Sequence, residues 1–436
     1  MSQRSPLLPM FLIVLVDVLG FTIVIPLLAF YAEKFGASPL VATLLVSVYA
    51  VCSLIATPII GQLSDQHGRK PLLMISQIGT CIGFLVLAAS SSLWMVFLGR
   101  IIDGFTAGNL SIAQAYISDH TKPENRAKAF GVIGIAFGFG FMFGPALGGA
   151  LGSIGEESFC TLTYAVGAQA PHLTCFHTPG SLHLPFIVAA CLSAFSITCT
   201  YLLLPKEAPP QAQTGDVGPG GRRPSAFDWR VYAEYFGRPG LRALYTQFFL
   251  FSFSFSLFMS GFALFAEHNE HFHWGADEVG YLFAYSGLLG ILLQGGLLGR
   301  LVKKFGELRL TIMAFVAAAI SYAVVGFADS VKMLVIGSTI SAFGQGVLRP
   351  VLTSRITQAV GRHEQGVALG ISGSLGSVAM ACAPPTGGAM LDTGHIVAWA
   401  MIPTGVSLLG LLFTLLWSGA AAAPPAIEPA GPAPSP

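Results

Sequence analysis

The sequence predicts an all-α integral membrane protein of twelve transmembrane helices, arranged as two six-helix bundles. Three features favour this fold: a composition poor in charge, a series of long apolar runs, and a one-sided distribution of lysine and arginine. Of the 436 residues, 53% are hydrophobic and only 10% are charged. Soluble domains carry about 25% charged residues. The formal net charge of +1 gives no reason to expect a nucleic-acid partner.

The apolar runs are each close to the ~20 residues that cross a hydrocarbon core as a helix. The first six lie near residues 8–31, 40–60, 72–89, 94–117, 128–152 and 183–204, and the second six near 241–265, 279–300, 310–328, 333–354, 366–391 and 396–417. The first run continues without a small-residue cleavage site. We therefore expect it to be a retained membrane helix and not a signal peptide.

Lysine and arginine fall mainly on one side of this topology. All but four of the 22 lie in segments expected at the cytoplasm, while Lys34 and Lys332 lie in external loops and Arg100 and Arg349 lie within spans. The positive-inside rule then predicts that both termini are cytoplasmic. We expect a multi-pass protein of a cell membrane, which in a bacterium would be the inner membrane.

The chain divides into four parts: an N-terminal bundle, 1–204; a cytoplasmic linker, 205–240; a C-terminal bundle, 241–418; and a tail, 419–436. The linker is rich in Pro, Gly and Gln, and its residues 227–236 are expected to form a short interfacial helix. The tail is dominated by Ala and Pro and cannot bury a core, so we expect it to be disordered.

The two halves repeat each other at a nearly constant offset. The segment GRLVKKFGELR begins 238 residues after GQLSDQHGRKPLL, and Pro384 of CAPPTGG lies 239 residues after Pro145 of FGPALGG. Such an offset indicates an internal duplication of a six-helix unit. Parallel repeats of this kind place a substrate cavity between the halves, near the middle of the bilayer.

The polar island at 61–73 is predicted to be a tight turn at the cytoplasmic face. It holds the residues expected to act as a gating loop: Gly61, Asp65, Gly68, Arg69 and Lys70. The glycines permit a close bend, while the carboxylate and the guanidinium can bind neighbouring helix ends. The spacing G-x-L-x-D-x-x-G-R-K-P resembles the signature between helices 2 and 3 of the major facilitator superfamily.

The fifth span carries a glycine-rich pattern that includes Gly140, Gly144, Pro145, Gly148 and Gly149. Glycine allows close helix packing and proline bends a helix, so packing alone is one explanation of the pattern. The whole pattern also resembles the antiporter motif of the drug:proton antiporters. That resemblance implies export in preference to import.

Charged residues inside the spans are candidates for proton coupling. Asp17 lies in the first span, and an ionisable group at that depth is a functional candidate. Arg100 and Asp103 in the fourth span are three residues apart, so they share a helix face and can pair. Structural alternatives stay open: a packing hydrogen bond for Asp17 and a purely structural salt bridge for the pair.

Polar residues in other spans are candidates for substrate binding: Asn109, Gln114, Gln294, Gln345 and Arg349. Each neutral residue could equally hydrogen-bond a neighbouring helix. Arg349 has two alternatives. It could extend to the cytoplasmic edge, or it could attract an anionic substrate group or a carboxylate from another helix.

Two external loops contain reactive residue types. The insertion at 155–182 holds Cys160 and Cys175, and a disulfide between them is expected if this side is oxidising. Five other cysteines lie inside apolar runs, where they are expected to be small packing residues. The run EHNEHFH at 267–273 fits no standard metal-binding spacing, so we expect a solvated loop and no metal site.

With these motifs together, the chain resembles tetracycline-efflux transporters of the drug:proton antiporter family. The resemblance implies exchange of a proton for a magnesium-chelated tetracycline by alternating access. It assigns Asp17 as the helix-1 carboxylate, Asp65 and Arg69 to the gating loop, and Arg100 as the helix-4 arginine. Three departures stand out: the ninth span has no acid, Asp103 and Arg349 are additional charges, and the cysteine-containing insertion is extra.

We therefore predict a secondary active transporter that exports a small amphiphilic or aromatic compound in exchange for protons. No cofactor is expected beyond the proton gradient, magnesium would enter only with a chelated substrate, and the chain is expected to act as a monomer. A proton-coupled importer or facilitator of an organic anion or nutrient is the alternative, and a receptor or lipid scramblase fits less well. No nucleophile with a base and no GxxxxGK[ST] loop supports catalysis or ATP hydrolysis.

Overall fold

A computed structural model of the chain describes residues 7–120, 126–153, 158–163, 172–177, 183–204, 229–361 and 364–417. Nearly all of these residues are helical. The segment 205–228 of the linker and the tail 419–436 lie outside the described residues, as does most of the insertion.

The described residues of the N-terminal half form seven helices and a two-stranded hairpin. They are α1 (Leu7–Lys34), α2 (Pro39–His67), α3 (Arg69–Ala88), α4 (Leu93–Phe105), α5 (Asn109–His120), α6 (Arg126–Ser153), β1 (Ser158–Thr163), β2 (His172–His177) and α7 (His183–Leu203). The antiparallel hairpin belongs to the insertion between α6 and α7. The sequence does not predict this hairpin.

The C-terminal half begins with α8 (Trp229–Gly237), which lies in the segment where a short interfacial helix is predicted. It continues with α9 (Pro239–His268), α10 (Ala276–Leu292), a π-helical turn (Leu293–Leu297), α11 (Leu298–Phe305), α12 (Glu307–Gly326), α13 (Val331–Gln358), α14 (Gln365–Asp392) and α15 (Ile396–Leu416). α10, the π-helical turn and α11 form one continuous span.

Ten segments of the described chain are long and apolar enough to cross a membrane. They confirm an all-helical membrane fold. Two more predicted spans remain. One corresponds to α6, and the other corresponds to α4 together with α5. The total of twelve membrane crossings stays a prediction.

The polar island at 61–73 is mostly helical, and in this respect the expectation of a tight turn across it is wrong. α2 continues to His67 and α3 begins at Arg69, so Gly68 alone makes the turn, with φ of 94°. Hydropathy marks only the apolar part of a helix, and α2 extends past it. Gly306, 238 residues later, makes the same turn between α11 and α12, with φ of 76°. A positive φ is the conformation that glycine adopts most readily.

These turns define two sides of the bundle. The side with Gly68 and Gly306 is called the Gly68 side, and the opposite one, where α1 and α9 end, the Glu33 side. The described cationic side chains near helix ends lie mostly at the Gly68 side, whereas Lys34 and Lys332 lie at the Glu33 side. This asymmetry agrees with the charge distribution expected from the sequence.

The fourth predicted span is broken in the middle, not continuous. α4 ends at Phe105 and α5 begins at Asn109. The backbone groups that the break leaves without partners in the helix bind side chains of neighbouring helices. Thr57 Oγ1 donates to Ala107 O at 2.9 Å, and Gly108 N donates to Ser76 Oγ at 3.0 Å. Irregular backbone is tolerated at membrane depth where protein surrounds it, as here.

The two halves meet closely at the Glu33 side. Gly149 on α6 packs against Gly280 on α10, and Gly388 on α14 packs against Thr43 on α2. Gly149 and Gly388 lie 239 residues apart, so the internal repeat makes equivalent contacts in both halves. One apolar core spans both halves, whereas the cluster around Met10 consists of residues from the N-terminal half and lies toward the Gly68 side. The bundle is therefore closed at the Glu33 side.

Candidate functional site

A buried ion pair lies at the centre of the N-terminal half. Arg100 Nη1 donates to Asp103 Oδ2 at 2.9 Å, and the two side chains are only 2% and 5% exposed. The guanidinium also lies 4.3 Å from the ring centroid of Tyr49 on α2, a cation–π contact. Gly83 on α3 lets that helix approach Asp103, since an added Cβ would lie 3.0 Å from the Asp103 Cβ. The predicted pairing of Arg100 with Asp103 is therefore present, with both groups inside one bundle.

Asp17 on α1 lies inside the same bundle. Its carboxyl group faces the side chains of Ser196, Gln77 and Asn109, and Asp103 is a neighbouring charged group. In the described part of the chain, no cation forms an ion pair with Asp17. Two carboxyl groups therefore share a region in which the one guanidinium, that of Arg100, is already bound to Asp103.

The neighbours of Asp17 can serve either protonation state of its carboxyl group. Gln77 Nε2 donates to Ser196 Oγ at 2.7 Å. Gln77 Oε1 and Asn109 Oδ1 are buried, and neither has a hydrogen-bond donor among the described residues. An amide donates to a carboxylate through nitrogen and accepts from a carboxylic acid through oxygen. Two amides at one carboxyl group thus permit gain and loss of a proton without a change of partners.

The break between α4 and α5 positions one of these amides. Asn109 is the first residue of α5, and the irregular segment before it turns its side chain toward Asp17. Gly79 on α3 packs against Thr106, and Gly108 packs against Ile60 on α2, so α3 and α2 both approach the break closely. Asn109 was predicted as a substrate contact from sequence. The structure places it against Asp17, and its role as a substrate contact stays a prediction.

The residues predicted to form the gating loop bind within the N-terminal half. Arg69 pairs with Asp65 and donates to Ser64 Oγ at 2.8 Å. Lys70 Nζ donates to Tyr201 O at 2.8 Å and also to Leu204 O, at the end of α7. A cation at a helix C-terminus binds carbonyl groups that have no partner in the helix. Gly61 lies within α2 with open space around it, so it does not form the turn.

The predicted antiporter motif on α6 uses two faces. Gly140, Gly144 and Gly148, four residues apart, pack against Val18, Thr22 and Ile23 of α1, and Thr22 Oγ1 donates to Gly140 O at 2.9 Å. Pro145 and Gly149 face Gly280 on α10, across the interface between the halves. The motif therefore joins the helix that carries Asp17 to the closing contact of the Glu33 side.

The other predicted substrate contacts are not gathered into one group. Gln345 Nε2 donates to Ser341 Oγ of its own helix at 2.7 Å and lies 3.5 Å from Tyr322 Oη. Gln114, Gln294 and Arg349 are exposed, and Gln294 lies in the π-helical turn of the eighth span. π-Helical turns often occur at functional sites. Gln345 and Arg349 share α13, which Gln294 approaches at Gly346, whereas Gln114 lies on α5 of the other half.

The predicted disulfide falls on residues whose side chains lie outside those described. The backbone register places Cys160 of β1 directly opposite Cys175 of β2. The other five cysteines are free thiols on helices. The disulfide stays a prediction.

Comparison with known proteins identifies the fold. The sequence profile of the Major Facilitator Superfamily matches residues 10–294 and 248–435. The chain belongs to the major facilitator superfamily. The resemblance of the loop at 61–73 to the superfamily signature is thereby confirmed, and the chain is a transporter and not an enzyme.

Individual relatives in this superfamily include tetracycline resistance proteins, and the solved neighbours include a human organic anion transporter. The chain is 28% identical over 391 residues to the class C tetracycline resistance protein of Escherichia coli, covering 88% of this chain and 89% of that one. It is 30% identical over 369 residues to the class B protein of Escherichia coli, covering 83% and 82%. The solved human organic anion transporter MFSD10 (TETRAN) has a TM-score of 0.69 and 22% identity, covering 95% of this chain and 100% of that one. At that identity, the structural likeness supports the superfamily fold alone.

Sequence reasoning missed two groups of residues in this superfamily fold. Gln77 is a polar residue in the apolar run 72–89, and its position three residues before Thr80 was a usable signal for a polar face. Glu33 lies at the end of the first apolar run, where a charge normally contacts solvent, so no sequence signal indicates its contact with α9.

Proposed function

We propose that this chain exports a small amphiphilic or aromatic compound in exchange for protons, by alternating access. One observation carries the proposal: Asp17 and Asp103 lie together, and the guanidinium of Arg100 is bound to Asp103. A buried charge without a partner is costly, and protonation removes that cost. Asp17 is therefore assigned as the proton carrier, and Asp103 as the counter-ion of Arg100.

The position of Asp17 explains how a proton on this residue could affect the substrate cavity. α1 carries Asp17 on one face and packs against the α6 glycines through Val18, Thr22 and Ile23. α6 in turn contacts α10 of the other half through Gly149. A change in the packing of α1 on protonation would reach the interface between the halves through this contact.

The direction of transport is supported by the relatives. Two tetracycline resistance proteins align with more than four fifths of this chain, and the antiporter motif on α6 is complete. A tetracycline-like compound, with magnesium only as part of a chelated drug, is the proposed substrate class. We propose a monomer in a cell membrane, in a bacterium the inner membrane, with both termini and the Gly68 side cytoplasmic.

A second candidate function is import or facilitated transport of an organic anion or nutrient. Arg349 favours it, because a guanidinium within a span is suited to an anionic group of a substrate. Arg349→Gln would then abolish transport of the anion, while leaving tetracycline-driven proton movement unaffected.

The experiment is proton movement in proteoliposomes that contain a pH-sensitive dye. Tetracycline is added under an imposed pH gradient to the wild-type chain, to Asp17→Asn and to the control Asp329→Asn, whose exposed carboxylate lies at the Glu33 side. Drug-dependent proton flux in the wild type and in Asp329→Asn, but not in Asp17→Asn, supports the proposal. Equal flux in all three rejects Asp17 as the carrier, and absence of flux in all three rejects tetracycline as a coupled substrate.

A further inference from the structure

Two carboxyl groups and an imidazole meet where α1 and α9 end. Oxygens of Glu33 and Glu267 and a nitrogen of His268 all lie within 4.8 Å of one another. His268 Nε2 lies 3.6 Å from Glu33 Oε1. Glu267 Oε2 is buried and has no hydrogen-bond partner among the described residues. The group therefore brings two acids together with an unsatisfied carboxyl oxygen.

This contact joins the two halves of the transporter. Glu33 belongs to the first helix of the N-terminal half, whereas Glu267 and His268 belong to the first membrane-spanning helix of the C-terminal half. At the same side, the contacts of Gly149 with α10 and of Gly388 with α2 bring glycines against backbone, a methylene group and a hydroxyl group. Those groups do not titrate. Closure at this side therefore forces Glu33 and Glu267 together, and their ionisation opposes closure.

The other described charged or titratable groups near Glu33 and Glu267 face solvent or bind other partners. Lys34, Glu270 and His271 are exposed to solvent at the ends of α1 and α9. His183, at the start of α7, has its Nδ1 3.0 Å from Tyr31 Oη and 2.8 Å from Ala88 O.

At the start of α10, Glu278 accepts from Gly275 N at 2.8 Å, with Asp277 beside it. α2 presents no ionisable side chain in its first turn, Pro39–Ala42. Among the described residues, the titratable contact between the halves at this side is therefore made by Glu33, Glu267 and His268.

We propose that Glu33 and Glu267 form a proton-binding latch that holds the Glu33 side closed. Two carboxylates in contact cannot both stay ionised at low cost, so closure takes up a proton that the two groups share. His268, when protonated, adds an attraction to Glu33 across the same interface. When the proton leaves for the adjoining solution, the two carboxylates repel and the halves separate at this side.

In the proposed exchange of a compound for protons, the latch acts at one step of the transport cycle. The assignment of that step rests on the proposed function. If the Glu33 side is external, protons from outside favour the externally closed state. The chain then returns to face the cytoplasm only after external protons have bound. The latch itself is a property of the protein without substrate, so it is measured independently of transport.

The test measures closure directly with a pair of spin labels. Ser91→Cys lies in the turn between α3 and α4, and Lys332→Cys lies at the start of α13, both exposed at the Glu33 side and in different halves. The seven native cysteines are replaced in this background. The distance distribution is measured from pH 5 to pH 9 in purified protein without drug, for wild type, Glu33→Gln, Glu267→Gln and the control Glu270→Gln.

We expect the wild type and Glu270→Gln to shift from closed to open as pH rises. The uptake of one proton changes the ratio of closed to open forms by up to about tenfold per pH unit. Glu33→Gln and Glu267→Gln should stay closed across the range, because a neutral amide removes the repulsion and keeps a hydrogen bond. A pH-independent distance in the wild type, or an unchanged pH profile in both variants, overturns the proposal.

A bound metal is the competing occupant of this group and is distinguished by the same labels. The measurement is repeated with EDTA and with added Mn²⁺ at pH 7. Closure that is lost in EDTA and restored by Mn²⁺ would assign the carboxylates to a divalent cation and overturn the proton latch. Distances that are unaffected by both additions support the latch.

Discussion

Arg100 and Asp103 form an ion pair inside the N-terminal half, and this pair determines the chemical state available to Asp17. The guanidinium is 2.9 Å from Asp103 and stacks on Tyr49, while Asp17 faces hydroxyl and amide groups. Removal of Asp103 therefore leaves the buried guanidinium of Arg100 without its carboxylate, whereas removal of Asp17 leaves that ion pair intact. Two predictions follow from that difference.

Asp103→Asn should destabilise the protein and abolish proton-coupled flux while leaving substrate binding. Loss of one partner from a buried ion pair costs about 3–5 kcal/mol, because the other charge is left buried and unpaired. Thermal unfolding in detergent and drug binding are the measurements. Glu234→Gln, at the exposed pair with Arg238, is the control and should change stability by no more than about 1 kcal/mol. Unchanged active transport in Asp103→Asn would contradict the assignment of Asp103 as the counter-ion on which proton-coupled flux depends.

Asp17→Asn should retain or slightly raise the unfolding temperature while proton-coupled flux is lost. The substitution removes a carboxyl group with no cationic partner and keeps its hydrogen-bonding capacity. Unfolding is followed in the same detergent as for Asp103→Asn. A fall in stability as large as that of Asp103→Asn would mean that Asp17 is ionised and structurally paired, contrary to the proposal.

Gly388→Val should prevent closure at the Glu33 side and abolish transport. A side chain at this position would collide with Thr43 and with the Leu40 backbone of α2. Gly370→Val on the same helix is the matched control, because no atom lies within 4 Å of its added Cβ. Thiol labelling of Ser91→Cys and transport are measured together. Normal transport by Gly388→Val would show that this contact does not limit closure.

Lys70→Met should destabilise the N-terminal half. Its ammonium group donates to the carbonyl groups of Tyr201 and Leu204 at the end of α7. Hydrogen bonds to charged groups contribute about 1.5–3 kcal/mol, so a loss of that order is expected in the free energy of unfolding. Lys303→Met, exposed in the last helical turn of α11 in the other half, should change stability by less than about 0.5 kcal/mol. Equal losses of stability in Lys70→Met and Lys303→Met would show that Lys70 does not stabilise the end of α7.

Cys160 and Cys175 should form a disulfide when the Glu33 side faces an oxidising compartment. Their backbone positions are directly opposite in the β1–β2 hairpin, and directly opposed positions of an antiparallel pair are generally close enough to interact. Intact mass after alkylation, with and without reductant, should differ by two alkylated thiols. Seven alkylated thiols without reductant would dismiss the bond.

The sequence predicted the charged members of the candidate site but not their neighbours. Asp17, Arg100 and Asp103 are conspicuous because ionisable groups are rare in apolar runs. Gln77 and Asn109 are chemically ordinary in a span, and nothing in their spacing indicates that both face Asp17. The break of the fourth span was also missed, because it depends on Thr57 and Ser76, which lie on other helices.

The sequence by itself determined the membrane fold, the duplication and the side on which the cations lie, because hydropathy, repeat offset and charge are properties of residues read in order. The tertiary structure decided which carboxyl group has a cation and which helices touch across the halves. It also decided that Glu33 meets Glu267, although 234 residues separate them in the chain. Those relationships depend on the rotation and packing of separate helices, and local sequence patterns carry no information about either.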